Sequence, residues 1–296
     1  MPSIFQDKVV VITGGASGVG FAIGKKIAEL QGKVILVDIE ESQLDKALAE
    51  LKLHNLSANS YVADVSKFDS MQNLANSIEE DHGSVDFLFN NAGVAPAELL
   101  PIWDTKPNDW QWAYGVNVMG VIHGIQAFVP KMLAAGKEAR IINTCSGNGA
   151  FINLPSTPIY TSSKAAVASI TEVLKHQLAQ MQSSIKVSIL FPGPHTVRTN
   201  LFTAERNRPQ TLARDSNAPD HPIKSVEDMV DMMKSMGIEM ETTEPEEVAS
   251  FCLTQILEGK YWINPKNEKS EQAFKDRVDS IIRSEEHTSE LQSPDH

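Results

Sequence analysis

Residues 8–20 constrain this chain more than any other stretch. The apolar, β-branched run Val9-Val10-Val11-Ile12 leads into Thr13-Gly14-Gly15-Ala16-Ser17-Gly18-Val19-Gly20, and a helical pattern follows from Gly20 to Leu30. A strand, a Gly-rich turn and a helix in that order aim backbone N–H groups from a helix N-terminus, where the dipole favours a pyrophosphate. Gly14, Gly18 and Gly20 let the backbone approach the phosphates and the helix pack on the strand. Asp38 ends the next strand-like run, eighteen residues after Gly20. A carboxylate there accepts hydrogen bonds from ribose hydroxyls and repels a 2′-phosphate. The turn itself carries no Arg or Lys to offset that repulsion, so NAD is expected over NADP.

The remaining pattern repeats this unit. Strand-like runs lie at Lys8–Thr13, Lys33–Asp38, Ser60–Ala63, Asp86–Asn90, Arg140–Thr144, Ile185–Phe191 and Tyr261–Ile263. Helical patterns at Ser42–Leu53, Met71–Glu80, Asn108–Leu133 and Ile159–Met181 alternate with them. Several runs are apolar throughout, as expected of parallel strands covered on both faces. The spacing predicts an α/β fold: one doubly wound parallel sheet of about seven strands, with helices on both faces. One domain over residues 1–282 is expected. After Phe191-Pro192-Gly193-Pro194, residues 201–244 show no strand-like run and are expected to form a lid or mobile insert. Met229, Met232, Met233 and Met236 mark one face of a short helix there, docking on the body or lining an apolar pocket.

Composition narrows the partners. A net charge of −12 argues against nucleic acid and anionic membranes. No apolar run was read as approaching bilayer length, and the N-terminus lacks a signal-peptide pattern. Cys145 and Cys252 make no disulfide framework and no metal-ligand spacing, so a reduced, cytoplasmic setting without a metal is expected. Residues 283–296 back-translate in frame to a string resembling a sequencing-adapter oligonucleotide, and are expected to be a non-native tail.

Tyr160 and Lys164 stand four residues apart in Tyr160-Thr161-Ser162-Ser163-Lys164, one turn apart on a helix face. A tyrosine with pKa near 10 is a poor base at neutral pH, and lowering it to about 7 takes roughly 4 kcal/mol. An ammonium about 4 Å away, at an effective dielectric near 20, supplies a similar amount. On that arithmetic Lys164 is nearly sufficient alone, and a positive nicotinamide ring adds to it. Ser146 is placed to hold a substrate oxygen while Tyr160 removes the hydroxyl proton.

With these residues in register, the chain resembles the short-chain dehydrogenase/reductase family, whose fold is Rossmann-type, from Gln6 to Ile263. The resemblance implies a catalytic set of Asn117, Ser146, Tyr160 and Lys164, with Asn117 holding a water that links Lys164 to solvent. It implies cofactor contacts from Thr13, Gly14, Ser17, Gly18, Val19 and Gly20 in the turn. Asp64 and Val65 would lie at the adenine. Asn91, Ala92 and Gly93, with Pro192, Gly193, Tyr160 and Lys164, would complete the cofactor site. The spacing after Pro192-Gly193 is shifted from the usual one, so either Thr196 or Thr199 would meet the nicotinamide, with Thr196 slightly preferred. Asn148, Leu154 and His195 are the expected substrate contacts.

The resemblance implies an NAD-dependent alcohol dehydrogenase or carbonyl reductase acting on a small alcohol or ketone. The run Gly115–Gly124, then Phe128-Val129-Pro130-Lys131-Met132 and an extended C-terminus, looks like a subgroup that includes benzylic-alcohol dehydrogenases for lignin-derived aryl ethers. The rival readings are a non-catalytic NAD-binding regulator, and an epimerase or dehydratase on the same fold. A homodimer through the two long helices is expected, with a tetramer as the alternative, because the chain ends in a charged helix rather than a Gly-rich segment.

Overall fold

The computed structural model describes residues 3–98, 100–214, 223–266 and 268–284. The expected tail from residue 285 lies outside them, as do residues 215–222 of the expected insert. The first strand-turn-helix unit is β1 (Val9–Thr13) and α1 (Gly18–Glu29). There follow β2 (Lys33–Asp38), α2 (Glu41–Leu53), β3 (Asn59–Val62), α3 (Phe68–His82) and β4 (Phe87–Asn90). Next come α4 (Pro107–Tyr114), a π turn at Gly115–Met119, α5 (Gly120–Ala135), β5 (Ala139–Thr144), α6 (Gly147–Ala150), α7 (Pro158–Gln180) and β6 (Ile185–Leu190). The last part holds β7 (Thr196–Val197), 3-10 turns at Asn200–Asn207 and Gln210–Leu212, α8 (Val226–Ser235), β8 (Thr242–Thr243), α9 (Pro245–Leu257), β9 (Trp262–Ile263) and α10 (Glu268–Arg283).

Among the described residues the main sheet has seven parallel strands in the order β3-β2-β1-β4-β5-β6-β9. The alternation of side chains along each strand divides the core in two. Val10, Ile12, Leu36 and Phe89 pack with Ile23, Ile27 and Leu253 from α1 and α9. Val9, Val11, Ile35 and Leu88 pack with Ile78, Phe128 and Leu174 from α3, α5 and α7. Both faces are thus buried, which explains the unbroken apolar runs. The chain reverses its direction of winding between β1 and β4, and open sheets of this kind bind ligands beyond the strand ends at that point.

Three expectations are corrected. The helix expected over Asn108–Leu133 is interrupted at Gly115–Met119, where the Gly120 N–H reaches back five residues to the Gly115 carbonyl. Such π turns give no hydrophobic-pattern signal, because the apolar stripe shifts by only one residue. Second, Pro107–Ala135 is a described helix long and apolar enough to cross a membrane, contrary to the reading of the runs; half of its most apolar window is buried inside the protein, as for a core helix. Third, residues 201–244 do contain a strand. The two-residue β8 pairs in parallel with β7, too short a stretch for periodicity to register.

Candidate active site

A cleft of about 960 Å³ opens at the strand ends around the switch between β1 and β4. Its floor begins at the Gly-rich turn, where Gly14 and Gly18 take φ of +62° and +54°, a conformation that disfavours side chains. A Cβ on Gly14 would come within 2.9 Å of Ala92 Cα, and one on Gly20 would strike the Gly14 carbonyl oxygen. The turn is therefore held against the Asn91-Ala92-Gly93 segment that follows β4. Thr13 makes the same junction, its hydroxyl accepting the N–H groups of Asn91 (2.9 Å) and Ala92 (3.1 Å). The Asn91 amide donates to the Thr13 and Gly14 carbonyls at 3.1 and 3.3 Å.

Of the expected cofactor residues, Gly14, Ser17, Gly18 and Val19 line the cleft, as do Asp38, Asp64 and Val65. Asn91, Ala92, Gly93, Pro192 and Thr196 line it too. Thr13 and Gly20 do not: they are buried behind the lining, where the Gly-rich turn meets the segment after β4. Gly193, between the lining prolines Pro192 and Pro194, is not itself in the lining. Asp38 is half-buried and accepts the N–H groups of Ala16 and Glu40, both at 3.2 Å. Burial raises its carboxyl above the ordinary range, against those two bonds. Asp64 accepts from the Ser66 N–H (2.9 Å) and hydroxyl (2.6 Å), which shapes the turn after β3. Thr199 also lines the cleft, its Cγ2 within 3.0 Å of where a Gly18 Cβ would stand. Both threonine candidates thus face the cleft, Thr196 from β7 and Thr199 over the Gly-rich turn.

Ser146, Tyr160 and Lys164 meet in the opposite wall. Ser146 leaves the end of β5, and α7 presents Tyr160 and Lys164 one turn apart. Lys164 is 4% exposed, donates to the Thr144 carbonyl at 3.1 Å and lies 5.7 Å from the Tyr160 ring centre. Gly93 makes room for it: a Cβ there would sit 3.5 Å from Lys164 Nζ and 3.4 Å from Asn117 Oδ1. Burial pushes the Tyr160 phenol up to about 12, against a hydrogen bond from Ser146 that lowers it. Burial likewise lowers the Lys164 ammonium. The expectation that Lys164 alone nearly suffices to activate Tyr160 is therefore corrected: desolvation, absent from a pairwise Coulomb estimate, acts against both charges.

Asn117 does not line the cleft. It is fully buried on the π turn, where its side chain accepts the Val94 N–H (2.8 Å) and donates to the Val94 carbonyl (2.9 Å) and Ser163 Oγ (3.0 Å). It ties the strand-end loop to α7, directly behind Lys164. The expected substrate residues Asn148, Leu154 and His195 all line the cleft. The Asn148 amide is committed within its loop, bonding Thr157, Thr161 and the Leu154 N–H. His195 pairs with Glu241 at 2.9 Å. Cys145 is buried and its thiol is pushed up by burial, unsuited to nucleophilic work.

Two features had no local signal. Arg206, in the first 3-10 turn, makes a two-pronged pair with Glu40 across the adenosine side of the cleft (2.6 and 3.1 Å), and Asn207 adds a bond at 2.8 Å. Burial would raise the Glu40 carboxyl, but these bonds outweigh it and hold it low. Glu98 is 9% exposed and accepts the Ile159 and Tyr160 N–H groups at 2.6 and 2.9 Å. Both arrangements join residues more than sixty positions apart, so no periodicity or motif announces them. Of the methionine face, Met229 reaches the cleft and Met236 is 61% exposed.

Comparison with known proteins agrees with this geometry. Residues 8–210 match the family model for short chain dehydrogenases. A C alpha-dehydrogenase of Sphingobium sp. strain SYK-6 is 30% identical over 281 residues, covering 94% of this chain and 87% of that protein. A short-chain dehydrogenase/reductase of Burkholderia phymatum, solved in complex with NAD, superposes with a TM-score of 0.85 at 34% identity, over 98% of this chain and 99% of that one. A metagenomic short-chain oxidoreductase solved with NADP gives 0.60 at 30% identity, over 65% of this chain and 85% of that one. With the sheet order, the Gly-rich turn and the Ser146–Tyr160–Lys164 wall all in place, the chain belongs to the short-chain dehydrogenase family of oxidoreductases.

Proposed function

We propose that this oxidoreductase interconverts a secondary alcohol and a ketone, with NAD as cofactor and Tyr160 as general acid/base. The observation that carries the reading is that Ser146, Tyr160 and Lys164 stand in one wall of a cleft whose floor is the Gly-rich turn and whose far end holds Asp38. A bound nicotinamide would accept the hydride from the carbinol carbon. Ser146 holds the substrate oxygen by a hydrogen bond, and Tyr160 removes its proton as the carbonyl forms. The reverse reaction returns that proton from the phenol to the alkoxide oxygen. Lys164 supplies positive charge behind Tyr160, and Asn117 holds the hydroxyl of Ser163, its neighbour in α7.

Asp38 supports NAD, since a 2′-phosphate would meet its carboxylate and that of Glu40, while Arg206 is already paired. We take the protein to work as a cytoplasmic homodimer, built through α5 and α7. The test is a NAD-reduction screen over aliphatic, steroid, sugar and aryl secondary alcohols, the aryl series included because the Sphingobium relative is named a C alpha-dehydrogenase. For any substrate found, Tyr160→Phe should lower kcat by about 10² to 10⁴-fold. A Tyr160→Phe kcat within a few-fold of wild type would overturn the mechanism.

A further inference from the structure

We infer that Glu98 is a positioning residue for Tyr160: its carboxylate binds the first two free amides of α7 and so fixes where the Tyr160 hydroxyl stands. The inference rests on the proposed role of Tyr160. A helix begins with backbone N–H groups that have no partner within it. In α7 the first residue, Pro158, has no N–H, and the preceding Thr157 caps nothing with its side chain. The Thr157 hydroxyl is instead bonded to Asn148 and Thr161. The next two donors are the amides of Ile159 and Tyr160, and one carboxylate takes both, Oε2 at 2.6 Å and Oε1 at 2.9 Å. An anion in this place also gains from the helix dipole.

Glu98 comes from the loop after β4, more than sixty residues away, so the bond joins two walls of the cleft rather than capping a helix locally. That loop is itself anchored. The Ala97 N–H donates to Glu205 at 3.3 Å, and Glu205 grips Arg208 at 2.7 and 2.8 Å. Arg208 reaches Asp109 of α4 at 2.9 Å and lies 4.2 Å over the Trp112 ring. The position of Tyr160 is thereby linked through Glu98 and Ala97 to the segment that covers the cleft.

The bond is sensitive to pH. Burial lifts the Glu98 carboxyl to about 7 against the two N–H bonds, and the charge of Asp109 acts in the same direction as burial. The titratable and charged groups on the surrounding elements are Asp109 in α4, paired with Arg208; Glu205 on the 3-10 turn; and Tyr160 and Lys164 in α7. Opening the first turn to exchange would admit water to the carboxylate and return it towards its ordinary range. The closed turn therefore holds the proton more tightly, and protection of both amides should rise as pH falls through about 7.

The test has two arms. In the first, amide exchange at Ile159 and Tyr160 is followed across pH, corrected for intrinsic rates, in wild type, Glu98→Gln and Glu98→Asp. Wild type should gain about tenfold in protection on passing from above to below pH ~7, and the Gln variant should be less protected and show no such step. In the second arm, using a substrate found by the screen, Glu98→Gln should lower kcat about tenfold with little change in KM. Glu98→Asp, which keeps a carboxylate, should retain more of the wild-type kcat. Should a variant fail to fold, the wild-type exchange profile decides alone. Protection independent of pH in wild type, or a Gln variant with the wild-type profile, would overturn the inference. A Tyr160→Phe enzyme with near wild-type kcat would overturn the proposed mechanism instead, and the exchange arm would still judge Glu98.

Discussion

At the scale of single residues, burial changes what the motif letters mean. Tyr160 and Lys164 look like a self-sufficient pair in the sequence, yet the folded protein desolvates both and favours their neutral forms. The hydrogen bond from Ser146 is what lowers the Tyr160 phenol against that burial. Asp38 carries a sharper expectation. Catalytic efficiency with NAD should exceed that with NADP by at least about tenfold, ~1.4 kcal/mol, and Asp38→Ser should narrow the gap. Equal use of both cofactors by the wild type would remove the argument. Glu98 bears on stability as well. Its folded pKa of about 7 lies above the ordinary 4.5, so the native state holds this proton more tightly than the unfolded chain. Its contribution to stability should therefore fall as pH rises from about 4.5 to about 7 and stay flat above. Chemical denaturation of wild type and Glu98→Gln across that range should show the slope only in wild type.

At the scale of elements, the segment after β6 does more than its composition suggested. Residues 201–244 show no strand-like run, yet they end in β8, which pairs with β7 just ahead of them, and the segment is stapled through Arg198, whose guanidinium reaches Glu227, Thr242 and Glu244. Its 3-10 turn then crosses the cleft to Glu40. Dinucleotide entry and exit should require this pair to part. A half-exposed ion pair is worth up to about 1 kcal/mol, so Arg206→Ala should speed cofactor release roughly two- to fivefold in stopped-flow measurements. An unchanged release rate would show that the crossing segment is no lid. The π turn at Gly115–Met119 illustrates the same limit of pattern reading. The 3.6-residue stripe across α4 and α5 correctly announces a long helix, and the local widening that seats Asn117 shows only in the folded backbone.

At the scale of the molecule, the helices α5 and α7 flank the sheet on one face, and apolar side chains stay outside it, including Met119 at 39% exposure in the π turn before α5 and Val173 at 51% on α7. We expect the protein to sediment as a dimer at micromolar concentration. Val173→Glu, which would place a charge in that contact, should shift it towards monomer without loss of secondary structure. A wild-type monomer would refute the assembly. The cleft itself is a property of the whole fold, since its lining comes from the ends of β1, β2, β4, β5 and β6 and from the 3-10 turn at Asn200–Asn207.

The sheet, the Gly-rich floor of the cleft and the Tyr160–Lys164 pair in its wall are legible in the amino-acid sequence. Each of these is written locally: apolar runs of strand length, a Gly-rich turn at a strand-helix junction, an acid closing β2, and a Tyr and Lys one helical turn apart. Other features exist only in the folded chain. Folding alone buries Asn117, Thr13 and Gly20 behind the cleft lining, commits Asn148 to Thr157, Thr161 and Leu154, and brings Glu98 and Glu40 to partners from distant segments. The reason is physical. Hydrogen bonds and desolvation depend on which groups become neighbours across long chain separations, and neither hydrophobic period nor motif spacing carries that information.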